Sequence, residues 1–355
     1  SRGLGDVYKR QASFDGHRSN DFANYVYRSV DAGATWTSIV GDLPAARVIH
    51  AVHEDPKNPN LLYLATEAGL YISGDTGAHW VEFAAGMPRV PVYDLVVHPR
   101  ENDLVLATHG RGVWILDNAG ALQQLTPEVM ASAAHLFTIR GAEQIRLFNP
   151  RAHEGDLVFH GTNPPNGAII DFYLRDAAAA SGVTMTVSDA SGKLVATLNP
   201  TKNVGVNRAI WNLRYDALPP APPDEESGGR PINVPAPLVM PGQYTVKLVA
   251  GGQTFEQKVT VSEDPRLQVS AADRQAWTDA MVAVAEVYRG TVAQVDRFSK
   301  GGRTSAENKR VARELQARVV TLYRNLGTST TKPTSDQVAQ MTFYKSELES
   351  LLKRQ

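Results

Sequence analysis

Five side chains in the first third of the chain carry groups able to hold or convert a ligand: His50, Glu67, Asp94, His109 and Arg111. Glu67 and Asp94 are the candidate catalytic residues. One protonated and one ionised carboxyl can hydrolyse a glycosidic bond when about 5 to 9.5 Å apart. Nothing in the spacing of these two requires that chemistry. Arg111 offers a planar fork suited to a carboxylate or a phosphate. The alternative for His109 and Arg111 is a turn whose glycines allow the reversal and whose arginine bonds nearby carbonyls. His53 and His98 each precede a proline-containing turn and read as turn residues. The nine histidines show no metal-binding helical spacing. There is also no Gly-x-Ser-x-Gly elbow and no phosphate loop. No metal site and no cofactor is therefore expected.

The elements that must position these residues announce themselves by repetition. Ser-Val-Asp-Ala-Gly-Ala-Thr-Trp at residues 29–36 returns 44 positions later as Ser-Gly-Asp-Thr-Gly-Ala-His-Trp at residues 73–80. The conserved positions are Ser29, Asp31, Gly33 and Trp36, then Ser73, Asp75, Gly77 and Trp80. The aspartate can accept backbone N–H groups across a tight turn, the glycine can take positive φ, and the tryptophan enters the next strand to pack inward. A fixed period of this length points to four-stranded β-propeller blades. Val48-Ile49-His50-Ala51-Val52 and Val92-Tyr93-Asp94-Leu95-Val96 keep the same offset. Strand-like runs at 61–66 and 104–108 each lead into a turn, at 67–69 and 109–112. About two blades are expected within residues 12–125.

Blade parity divides the candidates from the repeat turns. With strands A to D in order, the A-strand starts and the B-to-C turns share one end, and the C-to-D turns lie at the other. His50, Glu67, Asp94, His109 and Arg111 are thus expected together, opposite the structural turns. His50 and Asp94, equivalent in adjacent blades, are expected within about 10 Å, the spacing of packed sheets.

Residues 118–135 read as a linker. Residues 136–266 hold six strand-like segments with short polar turns, the pattern of an immunoglobulin- or fibronectin-like β-sandwich, with Trp211 and Tyr244 as core aromatics. Strand parity puts Trp211 inside and Arg208 and Arg214 outside. The proline-rich stretch 218–241 reads as a solvated loop. Over 270–355 the period becomes 3.6, with caps at Ser270 and Thr334 and breaks at Gly301-Gly302, Gly327 and Pro333, giving a three-helix appendage. The fold class is mainly β with an α tail.

Composition removes some functions. With 36 Lys and Arg against 37 Asp and Glu, net charge is −1, so nothing favours nucleic acid or an anionic membrane. No run approaches the ~18 apolar residues of a membrane span. The absence of Cys excludes disulfides and thiol chemistry in this sequence.

The repeated octapeptide resembles the Asp-box, or BNR repeat, of sialidases and sortilin-type receptors. The stretches 161–168, 206–214, 241–246 and 264–266, with Thr108-His109-Gly110-Arg111-Gly112-Val113-Trp114, resemble the C-terminal region of large exported bacterial proteins. Those carry sortilin-like BNR propellers and are commonly labelled glycosyl hydrolases. The resemblance implies an extracellular, periplasmic or cell-envelope location, and a peptide, protein or glycan partner at the propeller face. It implies the C-terminal fragment of a longer protein, without a complete catalytic site. The alternative is a glycoside hydrolase whose site is built mostly from other blades. Residues 1–11 resemble translated adapter sequence and are set apart from the fold.

Overall fold

The computed structural model describes residues 9–84, 86–145, 161–222, 231–300 and 303–354. Residues 10–116 carry three antiparallel sheets in succession. The first contains β1 (Arg10–Phe14), β2 (Tyr25–Ser29) and β3 (Thr37–Ser38). The second contains β4 (Ile49–Glu54), β5 (Leu62–Thr66), β6 (Gly69–Ser73) and β7 (Val81–Glu82). The third contains β8 (Val92–Val97), β9 (Leu104–Thr108) and β10 (Val113–Leu116). The period predicts about two four-stranded units; among the described residues this region has three sheets, of which the second has four strands and the others three. Arg10 and Gln11, set apart above, belong to β1 and pair with Ser29 and Arg28. Residues 1–8 lie outside the described part.

β5 explains the uninterrupted apolar run before the second repeat turn. Its Leu62 and Leu64 share a core with Val26, Ile39 and Leu43 on the side of the first sheet. Its Tyr63 and Ala65 share another with Leu95, Leu104 and Leu106 of the third. A strand covered on both faces has no polar positions to alternate. Each leucine so buried contributes about 1.5–3 kcal/mol.

The stretch expected as a linker carries two short helices, Gly120–Gln124 and Pro127–Ala131. Its polar residues do not face water alone. Gln123 Nε2 donates to Asp55 Oδ2 and to Asn102 Oδ1, both at 2.9 Å. Asp55 Oδ2 also accepts the Tyr63 hydroxyl at 2.8 Å. Burial, with Asp55 adding to it, pushes that hydroxyl's pKa far up. The first of these helices is tied through Asp55 to the second sheet.

Eight further strands follow: β11 (Ala134–Leu136), β12 (Ala142–Gln144), β13 (Ala168–Leu174), β14 (Thr184–Ser188), β15 (Leu194–Leu198), β16 (Gly205–Trp211), β17 (Gly242–Ala250) and β18 (Gln253–Glu263). They make a sheet of order β11-β13-β16 and another of order β12-β18-β17-β14-β15. Side chains from both sheets form one core. Trp211 is fully buried there and meets Tyr244 edge-on at 5.1 Å. Arg208 lies opposite Asp171 in the strand register, and the two are ion-paired.

Three helices complete the chain: α1 (Ala271–Ser299), α2 (Arg303–Leu326) and α3 (Ser335–Leu352). Ser270 accepts the Asp273 N–H at the start of α1, and Thr334 with Gln337 forms a capping box on α3. The Gly301-Gly302 break lies outside the described residues. Arg274 fastens the helices to the sheets. Its buried guanidinium meets Glu263 at 2.6 Å, and donates to Gln144 Oε1 and the Val239 carbonyl, both at 2.8 Å.

The solvated reading of residues 218–241 needs correction for its described part. Leu218, Ala221, Val234 and Ala236 are buried against Trp277, Met281 and Tyr288 of α1. Proline has no N–H to offer a sheet, but its carbonyl still accepts. Tyr288 and Tyr323 donate their hydroxyls to the carbonyls of Pro219 and Pro235, at 2.9 and 2.7 Å. Taken whole, the described chain is mainly β with a helical C-terminal tail, consistent with a partial propeller at its start. Among the described residues no helix is long and apolar enough to cross a membrane.

Candidate functional site

Strand register fixes which residues can meet. In the second sheet Ile49 pairs with Thr66 and Thr66 with Gly69, so His50 and the Glu67 turn occupy one end. Ser73 pairs with Leu62 at the other end, where the turn 73–80 begins. In the third sheet Val92 pairs with Thr108, which brings the turn 109–112 to the His50 end. In the first, Phe14 pairs with Tyr25, so the loop after β1 reaches that end too. Three successive sheets each contribute one connection to the same edge.

His50 is the centre of the resulting cluster. Its side chain is only 6% exposed. Nε2 lies 2.7 Å from Glu67 Oε2, while Nδ1 lies 3.8 Å from Asp15 Oδ2. The imidazole stacks on Tyr93, centroids 4.3 Å apart and planes 10° from parallel. Tyr93 in turn meets His109 at 5.6 Å. Asp15 comes from the first sheet, Glu67 from the second, and Tyr93 and His109 from the third. The His17 N–H donates to Asp15 at 2.9 Å, and this contact outweighs burial to lower the Asp15 pKa.

The remaining candidates stand apart from that centre. Asp94 Oδ1 contacts His53 Nε2 at 2.9 Å, on β8 and β4 respectively. His53 is thus a strand residue paired to the next sheet, and the turn reading for it is corrected. Glu67 and Asp94 each take a different histidine. Arg111 is exposed, and its carbonyl accepts the Trp114 indole N–H at 3.2 Å. The Arg111 guanidinium makes no ion pair among the described residues. Asp15, His17 and Tyr93 escape sequence reasoning. Tyr93 has a visible signal, since it stands where the preceding unit has Ile49. Asp15 has none, because its partner is remote in sequence and reached only through the sheet order.

The repeat turns hold themselves closed by the same bonds twice. Ser29 Oγ donates to Asp31 Oδ1 at 2.7 Å and accepts the Gly33 N–H at 2.8 Å. Ser73 Oγ does the same with Asp75 and Gly77, both at 2.8 Å. Asp31 accepts the Thr35 N–H and hydroxyl, at 2.9 and 2.6 Å. Asp75 accepts the His79 N–H at 2.9 Å and meets its ring at 2.6 Å. The Thr35 hydroxyl, with the backbone N–H, holds the Asp31 pKa at about 2. Gly33 and Gly77 take φ of 96° and 95°, where a side chain would be strained. The tryptophans differ: Trp80 is buried and Trp36 is 45% exposed, so the inward packing expected of both holds for one.

A family model described as Sortilin-Vps10 (sortilin, neurotensin receptor 3) matches residues 24–127, the repeat region and the first short helix after it. No curated protein matches the chain. Two solved structures give weak likenesses. One is the extracellular domain assigned to a hybrid two-component system of B. thetaiotaomicron, at 14% identity and a TM-score of 0.20, covering 66% of this chain and 28% of that one. The other is an ancestral GH74 enzyme, at 12% identity and a TM-score of 0.23, covering 70% and 41%. This chain therefore spans less than half the length of either structure, and at these TM-scores neither likeness carries an argument. The region of three sheets is similar to a propeller-like family. Among the described residues, no group of three or more His, Asp or Glu is placed to hold a metal ion.

Proposed function

We propose that this chain is the closing part of an exported Asp-box β-propeller protein, followed by a β-sandwich and a helical support. Its role is to bind a peptide, protein or glycan at the propeller end that carries His50. The observation that carries this reading is the convergence on one imidazole of Asp15, Glu67 and Tyr93, from three successive sheets. A site assembled across units is a property of the ring, and a buried histidine flanked by exposed Glu67 and Tyr93 presents both polar and stacking surface. Arg111, exposed in the same turn as His109, adds a fork for an anionic group.

Glycoside hydrolysis within this chain has weaker support, because Glu67 and Asp94 are each engaged by a separate histidine. Location outside the cytoplasm is part of the proposal and rests on the resemblance to exported propellers. Glycan and peptide arrays probed with the chain, and with Glu67→Gln and Tyr93→Ala variants, test the reading. At least tenfold weaker binding by both variants, with unchanged melting, is expected. Equal binding by all three proteins refutes it. Turnover of a polysaccharide that is lost in Glu67→Ala and in Asp94→Ala would establish the hydrolase instead.

A further inference from the structure

Trp80 and Trp36 stand at the same place in successive repeats, as do Tyr71 and Tyr27. The later pair is covered. Trp80 Nε1 donates to the Ile39 carbonyl at 2.9 Å, and its backbone N–H donates to Asp42 Oδ1 at 2.7 Å. Tyr71 and Trp80 share a core with Val26, Ile39 and Leu43 from the preceding unit. Even the glycine of the turn is filled against: a Cβ on Gly77 would lie 2.8 Å from the Ile39 Cβ.

The earlier pair has no such cover among the described residues. Trp36 turns its indole N–H back to its own Gly33 carbonyl at 3.1 Å. A Cβ on Gly33 would meet nothing but the Trp36 ring, 3.8 Å away. Phe14, Tyr25, Tyr27 and Trp36 line an open apolar groove of about 570 Å³, and Phe14 is 60% exposed. At the far end of the series the third sheet also has a bare face, where Val96, Val113 and Ile115 are exposed. Val96 and Ile115 both pair with Val105, so they share that face. Soluble proteins rarely leave such patches uncovered unless something packs on them.

We infer that the Trp36 face is an inter-unit interface, and that its occupant is a further four-stranded Asp-box unit. That unit presents an apolar residue and, three positions on, an aspartate, as Ile39 and Asp42 are presented to Trp80. The apolar residue fills the space over Gly33, its carbonyl takes the Trp36 indole N–H, and the aspartate takes the Trp36 backbone N–H. The argument for this occupant is continuity: the same surface, 44 residues later, already has it. The inference rests on the propeller reading but not on the ligand site.

Hydroxyl-radical footprinting by mass spectrometry tests it on two samples, the 355-residue chain and the protein purified from its natural source. In the 355-residue chain, Trp36 and Phe14 are expected to oxidise at least tenfold faster than Trp80. In the natural protein, Trp36 is expected to be protected to within about threefold of Trp80, in a species whose light-scattering mass is that of one polypeptide. Fast oxidation of Trp36 in the natural protein overturns the inference. So does protection of Trp36 in a monomer of the 355-residue chain, since its own residues would then cover the face. Protection that appears only with doubled mass, and disappears on dilution, makes a second copy the occupant and also overturns it. None of these outcomes bears on array binding at His50, so the two proposals fail separately.

Discussion

Asp171 and Arg208 face each other across β13 and β16, with Nε 2.7 Å from Oδ1 and a second nitrogen 3.1 Å from Oδ2. The same guanidinium reaches the Asn118 carbonyl at 3.3 Å, where the repeat region ends. One side chain thus neutralises a carboxylate that is 4% exposed and ties two parts of the fold together.

Removing that arginine leaves the carboxylate unpaired. Arg208→Ala is expected to cost about 3 kcal/mol in urea unfolding, the lower end for a broken buried pair because the guanidinium is partly exposed. Asp171→Val combined with Arg208→Leu is expected to recover more than half of that, since no lone charge remains. Equal losses in the single and double variants would contradict the pairing.

The two repeat tryptophans predict opposite outcomes for one substitution. Trp80→Ala is expected to destabilise the repeat region by about 3–5 kcal/mol, the usual cost of emptying a buried aromatic site. Trp36→Ala in the same 355-residue chain is expected to cost under about 1 kcal/mol, because its ring is half in solvent. Thermal melts of both variants provide the comparison.

Acid reports on the first repeat turn. The Asp31 carboxyl titrates at about 2 when folded, against 3.8 for the free group. Its contribution to stability is therefore complete above the unfolded value and fades as pH falls from 3.8 through about 2. Carbon-detected NMR should find its midpoint near 2 in the native chain. In Thr35→Val, which deletes the hydroxyl donor, the midpoint should move toward 3.8. A midpoint that stays in place would show that the hydroxyl is not the cause.

Arg274 predicts how the helices are held. Arg274→Ala strands Glu263 and removes donors from Gln144 and the Val239 carbonyl. A loss of about 3–5 kcal/mol is expected. Amide exchange should accelerate first in the opening turns of α1 and in β12, where its partners sit. Uniform acceleration across the chain would argue against a local fastening.

Much of this architecture was legible in the sequence because it is locally encoded. The serine, aspartate and glycine of each repeat turn satisfy one another within five residues, so their spacing alone reveals the turn. The strands β13 and β17 and the caps at Ser270 and Thr334 are equally local. The third sheet was harder: it lacks the tryptophan turn, and its β9 run follows β5 by 42 residues instead of 44. The candidate site was half legible. His50 and Glu67 were expected at one end and do meet, but Asp15 and Tyr93 arrive from other sheets. His53 looked like part of a turn until β8 brought Asp94 beside it. Residues 218–222 and 231–241 misled because proline content signals an absent donor, whereas here carbonyls such as those of Pro219 and Pro235 accept and apolar side chains pack.

The hold of Ile39 and Asp42 on Trp80 has a practical corollary for anyone dividing this polypeptide. The repeat is written with its turn at the finish, yet the second turn is braced by the residues that follow the first. An expression boundary drawn at residue 45, where the alignment of repeats invites a cut, would discard the brace and keep the part that needs it. The period read from the letters and the smallest piece that can stand by itself are out of phase.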